Sequence, residues 1–265
     1  MTAEERLKAG DIDGALQALQ AGVRANPADA KLRIFLFQLL SVLGDWKRAI
    51  TQLKVSAEMD PMAIPMAQTY REGIICEVYR EKVFAGEKSP VIFGEGEGAE
   101  WVAPLMEALA LQVKGEHAAA AELRAQAFEA APASSGTLND QPFAWIADAD
   151  MRLGPVLEAV INGKYYWVPF AALREVKAEA PEDLRDAVWM PVNLTLATGA
   201  ELVALIPTRY AGTAESGSAA ERLSRETNWA DAGADTWVGT GQRLLATDQG
   251  DTAVMDLRSL KIEAA

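Results

Sequence analysis

The chain has 265 residues, 50% of them hydrophobic and 24% charged, with 20 Gly, 12 Pro, one Cys and one His. That composition suits one large or two modest globular domains and excludes disordered, collagen-like and disulfide-stapled classes. A formal net charge of −13, with no Lys/Arg cluster to offset it, excludes the basic footprint of a nucleic-acid binder and argues against docking on anionic lipid.

The first residues, MTAEERLKAGDIDG, carry acidic side chains and no apolar core, so they do not read as a signal peptide. The longest uncharged apolar run, Ile34 to Gly44, is about half of the ~20 residues that span a bilayer. The expectation is a soluble protein of a reducing compartment, the cytoplasm. Two segments then align without gaps, GDIDGALQALQAGVRANP and GDWKRAITQLKVSAEMDP. Gly10 and Gly44, Ala15 and Ala49, Leu19 and Leu53, and Pro27 and Pro61 each stand 34 residues apart. That period belongs to tetratricopeptide-type helical hairpins, in which Gly ends one helix, a small Ala lets two helices approach and Pro stops the second. Between the copies, Leu32, Phe35, Leu36, Leu39, Leu40 and Leu43 form an apolar helical stripe. A third copy, GEHAAAAELRAQAFEAAP, keeps Gly115, Ala120 and Pro132 but follows Gly44 by 71 residues and has Arg124 in place of the leucine. An extra helix is expected over 64–86. The GEGEG run from Gly94 to Gly98 reads as a connector, because Glu95 and Glu97 repel phosphate and no P-loop lysine follows.

From Gly136 the texture changes, with Ser134-Ser135-Gly136 as the expected linker. Asn162-Gly163 joins two strand-like runs, a strong hairpin signal. Further hairpins are expected to turn at Thr198-Gly199 and around Gln249-Gly250, and short helices at 171–176 and 219–227. The expected fold is α+β: tetratricopeptide-like helical repeats over 1–135, then a mixed, mainly antiparallel β domain over 136–265.

The runs QPFAWIADADMRLGPVLEAVINGKYYWVPF, PEDLRDAVWMPVNL, IPTRY and ERLSRETNW…WVGTGQRLL carry a resemblance to the ImpE (TagJ) family, which extends over most of residues 138–260. Trp145, Asp148, Asp150, Arg152, Arg185, Asp186, Arg209 and Tyr210 fall within these motifs. The resemblance implies a cytoplasmic accessory protein of the bacterial type VI secretion system. It further implies a partner, the small sheath subunit TssB (VipA), bound through a helical segment near that partner's N-terminus, and a direct or indirect link to sheath turnover by the ClpV ATPase. Stacked hairpins supply a groove suited to an amphipathic helix. In the usual repeat geometry Lys31, Ile34, Gln38 and Ser41 would face it.

The chemistry-bearing residues are few. Cys76 has no disulfide partner and His117 no second ligand of its own kind. Asp148 and Asp150 on one strand would point the same way, and Glu158 could complete a metal-binding trio. Arg152, two residues on, offers a structural alternative by neutralising the pair. Arg209 and Tyr210 with Arg185 and Asp186 form either a carboxylate-recognition set or a buried ion pair that orders the β domain. Tyr165, Tyr166 and Trp167 form either an exposed contact surface or, through strand alternation, a half-buried run. Gly239 and Gly241 lack the third glycine and the context of a dinucleotide loop. The reading that follows is a non-enzymatic adaptor without cofactor or metal. Its alternatives are a metal-assisted hydrolase using Asp148, Asp150 and Glu158, and a general protein-binding scaffold.

Overall fold

The structure, a computed structural model, describes residues 1–94 and 100–263, so most of the GEGEG run lies outside the described residues. The helices are α1 (Ala3–Lys8), α2 (Ile12–Ala25), α3 (Ala30–Val42), α4 (Trp46–Met59), α5 (Ile64–Phe84), α6 (Val102–Val113) and α7 (His117–Ala130). The repeat glycines act as expected. Gly10, Gly44 and Gly115 follow α1, α3 and α6 with φ of +78°, +71° and +82°, the left-handed turn that favours glycine. Asp11, Asp29 and Asp45 then cap the next helices by accepting backbone N–H bonds. Ala15, Ala49 and Ala120 are each buried where paired helices meet.

The strands are β1 (Val91–Ile92), β2 (Gly136–Leu138), β3 (Gln141–Phe143), β4 (Ile146–Asp148), β5 (Val156–Ile161), β6 (Lys164–Pro169) and β7 (Leu173–Ala178). After them come β8 (Trp189–Leu196), β9 (Glu201–Pro207), β10 (Thr227–Asp231), β11 (Trp237–Gly241), β12 (Leu244–Thr247), β13 (Gly250–Ala253) and β14 (Ser259–Ile262). Two single-turn helices, α8 (Thr213–Ser216) and α9 (Ala219–Arg222), separate β9 from β10. Nine strands form the main sheet in the order β1-β6-β5-β9-β8-β7-β14-β2-β3. Among the described residues, the β1–β6 pair is the one parallel pair of this sheet.

The Asn162-Gly163 hairpin forms, with φ of +50° and +70° at its two turn residues. The β8–β9 hairpin turns at Thr198-Gly199, while the last one turns at Asp248-Gln249, since Thr247 already pairs with Gly250. Two local expectations fail. Residues 171–176 instead complete a short 3-10 turn at 170–172 and begin strand β7, because Leu173 and Val176, brought to one face by an irregularity between Leu173 and Glu175, are recruited into the sheet between β8 and β14. Over 219–227 only α9 is helical.

Strand β5 is buried at all six positions and has a core on each side. Val156 and Val160, with Tyr165, Trp167, Trp189 and Leu205, pack against the helices in one continuous cluster that reaches Leu19 and Leu53. Leu157, Ala159 and Ile161 pack with Val168, Met190, Leu194 and Leu260 on the other face. The packing therefore does not divide at residue 135. Arg124, where a leucine stands in the other copies, is buried and donates to Thr236 Oγ1 at 2.8 Å, which ties α7 to the turn between β10 and β11.

Gly44 tests this packing. A Cβ there would lie 2.7 Å from the Ala214 Cβ, whereas at Gly10 it meets open space. Gly10→Ala is expected to cost about 1 kcal/mol from the left-handed conformation alone. Gly44→Ala should cost at least about 1 kcal/mol more through overpacking, as measured by urea denaturation.

Candidate functional site

Between α5 and the sheet lies a buried network of charged side chains. Strand β5 presents Glu158, fully buried, on its helix-facing side. Arg80 of α5 meets it as a fork, with Nε to Oε1 at 2.6 Å and Nη2 to Oε2 at 2.8 Å. The same guanidinium donates to the Arg209 carbonyl at 2.9 Å and to Glu77 at 3.3 Å. Glu77 also accepts the Trp189 indole N–H at 3.0 Å. Tyr165 donates its hydroxyl to Glu158 and accepts the Trp167 indole N–H at 2.8 Å. Burial alone would push the Glu158 carboxyl up, but the Arg80 and Arg243 guanidiniums outweigh it and hold the group down at about 2.

Arg243, fully buried, links this centre to the acidic pair. It donates to Asp148 Oδ2 at 2.6 and 3.0 Å and to the Pro207 carbonyl at 3.0 Å, and lies 3.4 Å from Glu158. Burial pushes Asp148 up to about 6, against the pull of the Arg243 guanidinium. Asp150 is held separately by Arg152 at 2.6 Å and by the Gly239 N–H at 2.9 Å.

The three carboxylates that could have formed a metal trio are thus each turned to a guanidinium: Asp148 to Arg243, Asp150 to Arg152, Glu158 to Arg80. The hydrolase reading loses its ligands to these pairs. The other polar set is also rearranged. Among the described residues Arg209 pairs with no carboxylate; it donates to the carbonyls of Val42 at 2.7 Å, Ser41 at 3.3 Å and Arg222 at 2.8 Å, closing the C-terminal end of α3. Arg185 pairs with Asp183 and lies over the Tyr70 ring at 4.7 Å, while Asp186 accepts the backbone N–H groups of Glu182 and Asp183. Tyr210 is buried and accepts the Leu244 N–H at 3.0 Å. Tyr165 and Trp167 are buried and Tyr166 half-buried, as strand alternation requires, and Trp145 is exposed.

The expected binding strip on α3 needs correction. Lys31 is exposed and Ile34 half-buried, but Gln38 and Ser41 are buried. A 3-10 turn at Leu184–Ala187 and the Arg209 side chain cover that end of the helix, so the four residues do not line an open groove. The network members missed from sequence are Glu77, Arg80 and Arg243. Their one local signal is the three-residue spacing of Glu77 and Arg80 on the α5 face that also carries Tyr70 and Ile74. No described helix is long and apolar enough to cross a membrane.

Comparison with known proteins places this architecture. A family described as ImpE protein matches residues 140–261, and one described as tetratricopeptide repeat matches 6–69. The type VI secretion system accessory component TagJ of Pseudomonas aeruginosa is 56% identical over 263 residues, covering 99% of this chain and 92% of that protein. The crystal structure of protein VPA1032 from Vibrio parahaemolyticus superposes with a TM-score of 0.88 at 27% identity, over 98% of this chain and 97% of that one.

The network carries a stability prediction. Glu158→Gln leaves Arg80 and Arg243 without their shared counter-charge and should cost about 3–5 kcal/mol in urea denaturation. With its pKa lowered from 4.5 to about 2, Glu158 stabilises the fold fully above pH 4.5 and progressively less as pH falls towards 2. Over that range the decline in stability should be shallower for the variant than for the parent chain.

Proposed function

Because the chain belongs to the ImpE (TagJ) family, we propose that it is a non-enzymatic adaptor of the bacterial type VI secretion system. In this reading it works in the cytoplasm, binds the small sheath subunit TssB through a helical segment near that subunit's N-terminus, and links it to ClpV-dependent sheath turnover. The observation that carries the reading is the 56% identity to TagJ along nearly the whole of both chains. The side-chain chemistry supports it as well. The acidic residues with the most site-like spacing are satisfied by arginines inside the core, where they orient elements.

The repeats support a protein-binding role while limiting where it can occur. Gln38 and Ser41 are covered by the chain's own C-terminal half, so the strip running from Lys31 to Ser41 is open only towards its Lys31 end. Calorimetric titration with the cognate TssB, and with a peptide from its N-terminal region, should give saturable one-to-one binding. Absence of heat with both the peptide and the full-length subunit would overturn the adaptor reading.

A further inference from the structure

The helix-facing side of the main sheet extends further than the helices that cover it. Along β8, Trp189 lies beneath α5, and Leu205 on the neighbouring β9 approaches Gly73 of that helix. The next residues with the same orientation are Pro191, Asn193 and Thr195 on β8, paired with Leu205, Val203 and Glu201 on β9. Lys177 and Glu175 of β7 continue the surface across the sheet, opposite Asn193 and Thr195. Pro191, Asn193 and Glu201 are exposed, and Val203 is 72% exposed, an unusual state for a valine inside a paired strand. Two adjoining hollows of about 300 and 430 Å³ lie over this floor and share Lys177, Asn193 and Val203. Tyr70 of α5 borders one end, with the 179–186 segment beside it.

The shape selects the occupant. Strand β8 is paired on both sides, so an added strand finds no free edge here and a ligand must dock through side chains. From Pro191 to Thr195 the floor runs about 14 Å, and from β7 to β9 it is about 10 Å wide, the footprint of two to three turns of α-helix. The rim selects the charge. Lys177 pairs with Glu175 and Arg185 with Asp183, which leaves Glu179, Glu182 and Glu201 without an ion pair among the described residues.

We infer that this trough is the docking site of a partner helix, an amphipathic one with an apolar stripe over Val203 and Pro191 and Lys or Arg on its flanks. The docked helix continues the helical layer beside α5. Electrostatic attraction to the rim steers it, and apolar contact at Val203 and Pro191 holds it. The inference rests on the adaptor reading and names the surface that reading requires.

The test is titration of fluorescently labelled full-length TssB with the parent chain and three full-length variants, at two salt concentrations. Val203→Arg should raise Kd by about tenfold or more by blocking the floor. Glu201→Lys should weaken binding several-fold and reduce its salt dependence. Ile34→Arg, on α3 away from the trough, should bind like the parent. Because Val203 and Glu201 are exposed, both variants should keep the parent's circular dichroism and melting temperature. Parent-like affinity in both trough variants, or a loss confined to Ile34→Arg, would overturn the site while leaving the adaptor reading intact. A parent chain that fails to bind TssB would overturn both. Concentration-dependent self-association that disappears in Val203→Arg would assign the trough to a second copy and overturn the partner-helix assignment.

Discussion

The fork between Arg80 and Glu158 is the constraint around which the helices and the sheet are arranged. Both side chains are buried, and a charge removed from water costs several kcal/mol unless it is paired and its remaining hydrogen-bonding capacity is used. Here that capacity is used. Arg80 also reaches Glu77 and a backbone carbonyl, and Glu158 also accepts from Tyr165. An apolar pair of similar volume could stabilise the fold as well. What the planar fork adds is direction, since one placement of α5 over β5 satisfies all these contacts together.

That placement determines how the repeats are used. In an open repeat array the inner helical face is available to a partner. Here α5 is fixed to the sheet by Arg80, and the end of α3 receives Arg209 across its last carbonyls. Trp189 fills the space between them, packing its ring 5.8 Å from Tyr70 and 6.0 Å from Trp46. The hairpins thus serve as one wall of a core whose other wall is the chain's own sheet. Arg124 extends the same arrangement at the far end, because a polar residue at a repeat position that elsewhere carries leucine can bond to a loop of the sheet region.

Signals that act over a few residues were legible in the sequence. The 34-residue recurrence of Gly, Ala and Pro reports helix ends and close helix contacts, and Asn162-Gly163 reports a turn, because the responsible backbone geometry is local. The family motifs were legible too, but their roles were not. Asp148 and Arg243 are 95 residues apart and Arg80 and Glu158 are 78 apart, so no spacing rule connects them. Glu77 and Arg80 look like residues of a solvated helix face until the sheet covers them. The short helix expected over 171–176 gives way to strand for a related reason: the conformation from Leu173 on is set by pairing with β8 and β14, which no local propensity encodes. Gln38 and Ser41 followed the rules of an isolated repeat, and the covering element lies far along the chain.

The division of polar residues follows from these facts and bears on function. The buried carboxylates of Glu77, Asp148, Asp150 and Glu158 are matched by guanidiniums that hold elements in register, while those of Asp186 and Glu221 accept backbone and amide N–H groups, so the core uses much of its charge locally. The chain's excess of acid, −13 overall, is therefore carried mainly at the surface, where water screens self-repulsion and where it can attract a basic partner. The sheet concentrates this contrast. One stretch of its helix-facing side is sealed by α5 around Glu158. The next stretch, with the same strand orientation, carries Val203 open to water beside Glu201, which has no ion pair among the described residues. A sheet face that packs helices elsewhere but is left uncovered over β7 to β9 offers apolar contact at Val203 and Pro191 beside acidic charge.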